Sequence, residues 1–110
     1  MTAVDVLCER RDAASCERVI RIPSNLGCVE GHFPDAPVVP GFVQLGWAID
    51  AARTLVGGDA APSRIESLKF KEIVRPGETL VVRAERRGGL IHFLLQRGAV
   101  VVSAGRLVFP

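Results

Sequence analysis

An α+β fold, with one central helix wrapped by a curved antiparallel sheet, is what the sequence predicts from three observations. Strand-like runs recur along the chain between turns rich in Gly and Pro. They are interrupted once, by a sixteen-residue apolar stretch that is long for a strand and suits a helix. That stretch is apolar around nearly its whole circumference, so it needs a sheet curled about it. The elements read β-β-α-β-β-β-β within a single domain spanning residues 1–110.

Residues 3–10 (AVDVLCER) alternate apolar and polar and predict a strand. Residues 11–16 are turn-like, and 17–23 (ERVIRIP) form a second strand ended by Pro23, completing a hairpin. Residues 24–40 (SNLGCVEGHFPDAPVVP) are irregular, because Pro34, Pro37 and Pro40 bar both helix and central strand. A loop that long in so small a domain is usually functional. The helix follows over 41–56 (GFVQLGWAIDAARTLV) and stops at Gly57-Gly58. Being apolar on all sides, it is expected to be buried on all sides. Strands are then predicted over 63–74, 78–86, 90–97 and 99–109, punctuated by Pro76-Gly77, Gly88-Gly89 and Gly98.

Composition narrows the function. Apolar residues at 48% and charged residues at 24% are a globular balance, not a disordered one. Aromatics make up only 5%, so the core must be mainly aliphatic. In so short a chain, that apolar fraction suggests burial against a partner subunit. Fourteen basic and twelve acidic residues give a net charge of +2, too balanced for massed phosphate neutralisation, so no nucleic-acid partner is expected. Cys8, Cys16 and Cys28 are odd in number and lack CxxC spacing, which argues against a disulfide framework or a zinc site. No apolar run approaches the roughly 18 residues of a membrane span. The first residues lack a basic-then-apolar secretory pattern, so a cytoplasmic location is expected.

The stretch that can carry chemistry runs from Gly31 into the helix. Pro40 fits the first helical position, and Val39 before it has no side-chain oxygen with which to cap. The N–H groups of Gly41 and Phe42 are thereby left without a local acceptor. Gly41 has no Cβ, so another molecule can approach its backbone closely. Open donors at a helix start suit an anion or a polarised carbonyl oxygen; water or the Pro-rich loop could equally satisfy them. His32 can exchange a proton near neutral pH, or it is an ordinary surface histidine. His92 alternates with Ile91 and Phe93 and is expected to face solvent or pack locally. Gly46 and Asp50, four apart, share a helix face. A mid-helix Gly costs about 1 kcal/mol relative to Ala, which points to close approach of something at position 46. Asp50 is a candidate acid if buried; the alternative is that it reaches water or Arg53.

GHFPDAPVVPGFVQLGWAIDAA resembles the central segment of the hotdog-fold 3-hydroxyacyl-(acyl-carrier-protein) dehydratases of the FabZ and FabA type, in which the pattern is GHFPxxPxxPG followed by an apolar helix. KFKEIVRPGETLVV resembles that family's Phe-containing strand and Pro-Gly turn, and the likeness covers roughly residues 3–109. Within the family, the QLGWAID variant looks most like the small dehydratases of aryl-polyene clusters. The resemblance implies a hotdog fold, normally dimeric, with sheets joined edge to edge and the active site at the dimer interface. It implies a substrate carried on the phosphopantetheine arm of an acyl carrier protein, and no other cofactor. By the same resemblance His32 removes the α-proton of a 3-hydroxyacyl thioester, and the Gly41 N–H polarises its carbonyl. Phe33, Pro40, Phe42, Gly46 and Phe70 are the expected substrate-binding residues. Lys69, Lys71 and Arg75 are candidates to attract an acidic carrier.

The sequence departs from the pattern at the general acid. The family's Glu or Asp falls on Gly46, and Asp50 stands where Gln is usual. Either Asp50 acts through a water, or a partner subunit in a heterodimer supplies the acid, or the chain is a non-catalytic binding subunit. An acyl thioesterase on the same fold, with a carboxylate activating water, is a further alternative.

Overall fold

The computed structural model describes residues 4–24 and 38–110. Among these residues there are six strands and one helix, in the predicted order. Strands β1 (Asp5–Arg11) and β2 (Ser15–Arg21) form a hairpin. Its turn is set by Asp12, whose carboxylate accepts from the N–H groups of Ala14 and Ser15 at 2.8 and 2.9 Å. Helix α1 spans Gly41–Val56. Strands β3 (Arg64–Phe70), β4 (Thr79–Arg87), β5 (Leu90–Arg97) and β6 (Val100–Val108) complete the sheet. The two-residue turns after β4 and β5 place Gly88 and Gly98 at φ of 61° and 59°, a region that Gly enters without a Cβ clash.

All pairings are antiparallel, and the strand order is β1-β2-β4-β5-β6-β3. The helix packs against β2, β4 and β5 in the middle of the sheet. The core is aliphatic, as the composition requires. Ile20, Leu80, Val82, Leu95, Val102 and Leu107 are buried from the sheet, with Trp47 the large anchor from the helix. Each such aliphatic side chain contributes roughly 1.5–3 kcal/mol by leaving water.

Three expectations need correction. The helix is not buried on all sides. Within the single chain the buried positions are Val43, Gln44, Trp47, Ala48, Ala51 and Ala52, a stripe at i, i+1, i+4 and i+5 spacing. Leu45 and Ile49 are half-buried, and Phe42 is 73% exposed, because one sheet covers one side of a helix. Secondly, β3 ends at Phe70 and does not run to residue 74. Lys71 and Glu72 both donate to the Val102 carbonyl, so the ladder cannot advance. Thirdly, Pro40 is the N-cap and not the first helical residue, since its ψ of 150° is extended. No helix among the described residues is long and apolar enough to cross a membrane.

Candidate active site

The start of α1 is open among the described residues. Pro40 has no side-chain cap, and its carbonyl takes the N–H groups of Val43 and Gln44 at 3.1 and 3.4 Å. Among the described residues nothing accepts from the N–H groups of Gly41 or Phe42. Val39 is buried and anchors the entering chain through its N–H to the Val74 carbonyl at 2.7 Å. A groove of about 320 Å³ lies at this helix end, lined by Val38, Val39, Gly41, Gln44, Phe70 and residues 71–74.

Phe70 forms one wall of that groove, and a β-bulge aims it. Along β3 and β6 the register is Glu66 opposite Arg106, then Lys69 opposite Ala104 and Phe70 opposite Ser103. One extra residue is therefore accommodated in β3, at Ser67, whose φ of 53° is unusual outside Gly. Without it, Phe70 would share the face of Glu66. With it, Phe70 joins the face of buried Ser103, and Lys69 is turned to the opposite face. The Phe70 ring consequently lies against Gly41, where an added Cβ would be 2.7 Å from its Cζ.

Gln44 is a site residue that only the structure identifies as one. It is 3% exposed, its Nε2 donates to the Val39 carbonyl at 3.3 Å, and among the described residues its buried Oε1 has no partner. The signal in the sequence was a lone amide within an apolar run. The segment 71–75 is held from outside the site by Arg97 and Glu78. Arg97 Nη1 donates to the Ile73 carbonyl at 2.9 Å and to Glu78 Oε1 at 3.2 Å, and Glu78 Oε1 also accepts from the Arg75 N–H. Residues 97 and 78 meet only through the β4–β5 pairing, so no local pattern announces them.

Of the sequence-predicted site residues, Pro40, Gly41, Phe42 and Phe70 gather at the helix start. His32 and Phe33 lie outside the described residues. Gly46 is half-buried, one turn into the helix. Asp50 lies a further turn along, and Arg53 Nη1 donates to its Oδ1 at 3.4 Å. Arg53 in turn donates to the Ala60 carbonyl at 2.9 Å. His92 is half-buried on β5, on the face away from Phe93.

Comparison with known proteins bears on this geometry. The model of the ApeI-like family, described as ApeI dehydratase, matches residues 8–106. The chain belongs to the ApeI-like dehydratase family. Its curated relatives include FabZ, a 3-hydroxyacyl-(acyl-carrier-protein) dehydratase, from Chlamydia muridarum, 32% identical over 93 residues that cover 72% of this chain and 61% of the relative. FabZ from Pediococcus pentosaceus is 30% identical over 92 residues, covering 73% and 62%. The chain thus spans about three-fifths of the length of these relatives. Among solved structures, the ApeI:P dehydratase heterocomplex from Xenorhabdus doucetiae superposes with a TM-score of 0.87 at 24% identity, covering 97% of both chains. The E. coli PaaI protein superposes at 0.67 with 14% identity, covering 94% of this chain and 75% of its own. These likenesses show the fold: the single helix and six-strand antiparallel sheet of this ApeI-like chain are a hotdog.

Proposed function

We propose that this chain dehydrates 3-hydroxyacyl thioesters, delivered on an acyl carrier protein, to trans-2-enoyl thioesters, as one half of a site completed by a second hotdog subunit. The observation that carries the reading is the open helix start at Gly41, walled by Phe70. The Gly41 N–H donates to the thioester carbonyl, where negative charge grows as the α-proton leaves, so a fixed dipole there stabilises the transition state. His32 takes the proton from C2. The C2–C3 double bond forms as the C3–O bond breaks, and the hydroxyl departs as water once it is protonated.

The proton for that water is the missing piece. Gly46 has no side chain, and the Asp50 carboxylate is engaged by Arg53. The donor therefore comes from a second hotdog subunit, homologous or different. The edge of β3, unpaired among the described residues and with Ile65 and Leu68 exposed next to the Phe70 wall, suits edge-to-edge pairing beside the site.

The test is enoyl formation from a 3-hydroxyacyl thioester by the chain alone and with hotdog subunits that carry a carboxylate at the position of Gly46. The mixture should exceed the chain alone by about 10²–10⁴-fold, the usual contribution of a general acid, and His32→Ala should abolish the gain. No enoyl product in any combination rules the reading out, and thiol release without enoyl would identify a thioesterase instead. A mixture that keeps its activity with His32→Ala would make the chain a binding subunit.

A further inference from the structure

Gln44 holds two consecutive carbonyls of the chain that enters the helix. Its backbone N–H donates to the Pro40 carbonyl at 3.4 Å, and its side-chain Nε2 donates to the Val39 carbonyl at 3.3 Å. A Gln near a helix start can reach back to accept from the N–H of the capping residue. Pro40 has no N–H to offer, so the amide here donates to the carbonyl one residue earlier.

These bonds decide where the Gly41 N–H points. Val39 is held on both sides, its N–H by the Val74 carbonyl at 2.7 Å and its C=O by Gln44. The ring of Pro40 fixes the next torsion, at a φ of −59°. The Pro40–Gly41 peptide is trans and planar, so its N–H points opposite to its C=O. That C=O faces into the helix, towards the N–H groups of Val43 and Gln44. The Gly41 N–H is thereby turned off the helix end, where the groove lies.

The side chain also carries a cost that packing does not explain. Gln44 is buried, and among the described residues its Oε1 has no partner. A buried, unpaired acceptor costs free energy that an aliphatic side chain in the same place, beside buried Val43, Trp47 and Ala48, would avoid. We infer that Gln44 is a positioning residue, whose amide fixes the Val39–Pro40 peptide and through it the aim of the Gly41 N–H at the thioester carbonyl. The inference rests on the use of that N–H in the proposed function and assigns it a residue that acts through the backbone.

The test compares Gln44→Leu and Gln44→Glu with the wild type, each mixed with a hotdog subunit that carries a carboxylate at the position of Gly46. Leu keeps the bulk and removes both polar groups. Glu can donate to the Val39 carbonyl only while it is protonated, and burial favours that form. Gln44→Leu should lower kcat about 10–10²-fold, the cost of a misdirected reacting group, with KM close to the wild-type value. Its Tm should stay near that of the wild type, because one unpaired acceptor is removed and another, the Val39 carbonyl, is created. The kcat of Gln44→Glu relative to wild type should rise as pH falls, while that of Gln44→Leu should not change with pH. Taking the ratio cancels the titration of His32, and of Lys71 and Glu72, the charged groups that line the groove in every variant.

Wild-type kcat in Gln44→Leu overturns the inference. So does a Gln44→Glu ratio that is flat with pH, and this second result decides alone should Gln44→Leu fail to fold. The Gly41 amide proton reads the same point without turnover. Its NMR signal should shift when the isotope-labelled wild type is titrated with a saturated acyl N-acetylcysteamine thioester, and should not shift in Gln44→Leu. Equal shifts overturn the inference. A wild type that forms no enoyl product in any assembly sinks the proposed activity, while a difference in the Gly41 shift still upholds the positioning.

Discussion

The ring of Phe70 rests directly on the backbone of Gly41, leaving no room for a Cβ at the first residue of the helix. The contact joins the edge strand to the helix end that offers its N–H groups. Because Phe70 is 46% exposed, its ring can swing away. Gly41→Ala should therefore fold nearly normally, with a change under about 1 kcal/mol, or a few degrees in Tm. Its kcat/KM should fall about 10²-fold, the effect of misplacing a reacting group by about 1 Å. Adding Phe70→Ala should restore part of that loss, because the methyl then has space. Steady-state kinetics on the three variants measure the coupling.

Gly105 makes the same kind of contact in a place that cannot yield. A Cβ there would meet Phe93 Cε2 at 2.8 Å, and Phe93 is only 4% exposed. Gly105→Ala should cost about 1–3 kcal/mol from overpacking, seen as a lower denaturation midpoint with an unchanged m-value. Unchanged stability would mean that the ring has room the structure does not show.

Deleting Ser67 should remove the bulge and leave the register after it intact, because one residue of β3 then stands opposite Gly105, with Lys69 still opposite Ala104 and Phe70 opposite Ser103. Phe70 should stay against Gly41. The expected outcome is a folded chain, by circular dichroism, that keeps turnover of a small thioester. Lost turnover in a folded chain would contradict the register given to the bulge.

Arg97→Ala should free the segment 71–75 from both the Ile73 carbonyl and Glu78. The pair is partly exposed, so the stability loss should be near 1 kcal/mol. Hydrogen exchange should rise at residues 71–75 more than in the strands.

Acid should destabilise the fold through three carboxylates held below their ordinary values. The hydrogen bond from Arg18 lowers Glu9, the backbone N–H of Ala14 lowers Asp12, and the hydrogen bond from Arg87 lowers Glu85. The unfolded chain binds protons at these groups first, near 4.5 for Glu and 3.8 for Asp. Their contribution is thus complete above those values and disappears as pH falls through the lower, folded ones. Tm should be flat down to about pH 5 and drop below it, and Glu9→Gln should flatten the drop. An identical slope in Glu9→Gln would remove Glu9 from the explanation.

Much of the site could be read from local chemistry. Pro40-Gly41 after an uncappable Val39 marks an open helix start, and among the described residues nothing accepts from those donors. The all-round apolar helix was legible as a helix. Its partial exposure was not, because the sequence does not say that one chain's sheet covers only one side. The strand order, with β3 at the edge beyond β6, depends on non-local pairing that no run of residues encodes. The same holds for Lys69 and Phe70. An unbroken alternation places Phe70 with Glu66, and only the extra residue at Ser67 reverses this. Gln44 is a buried amide whose oxygen has no partner among the described residues, a placement set by the sheet packed against that face of the helix.

Deuterium uptake in heavy water isolates the proton-removal step at the heart of this account. If His32 is the base and the Gly41 N–H the carbonyl donor, as proposed, the chain alone should exchange hydrogen at C2 of an acyl thioester, as mass spectrometry would register. His32→Ala should stop that exchange. A wild-type chain that takes up no label, or a His32→Ala chain that takes it up at the wild-type rate, would contradict the assignment.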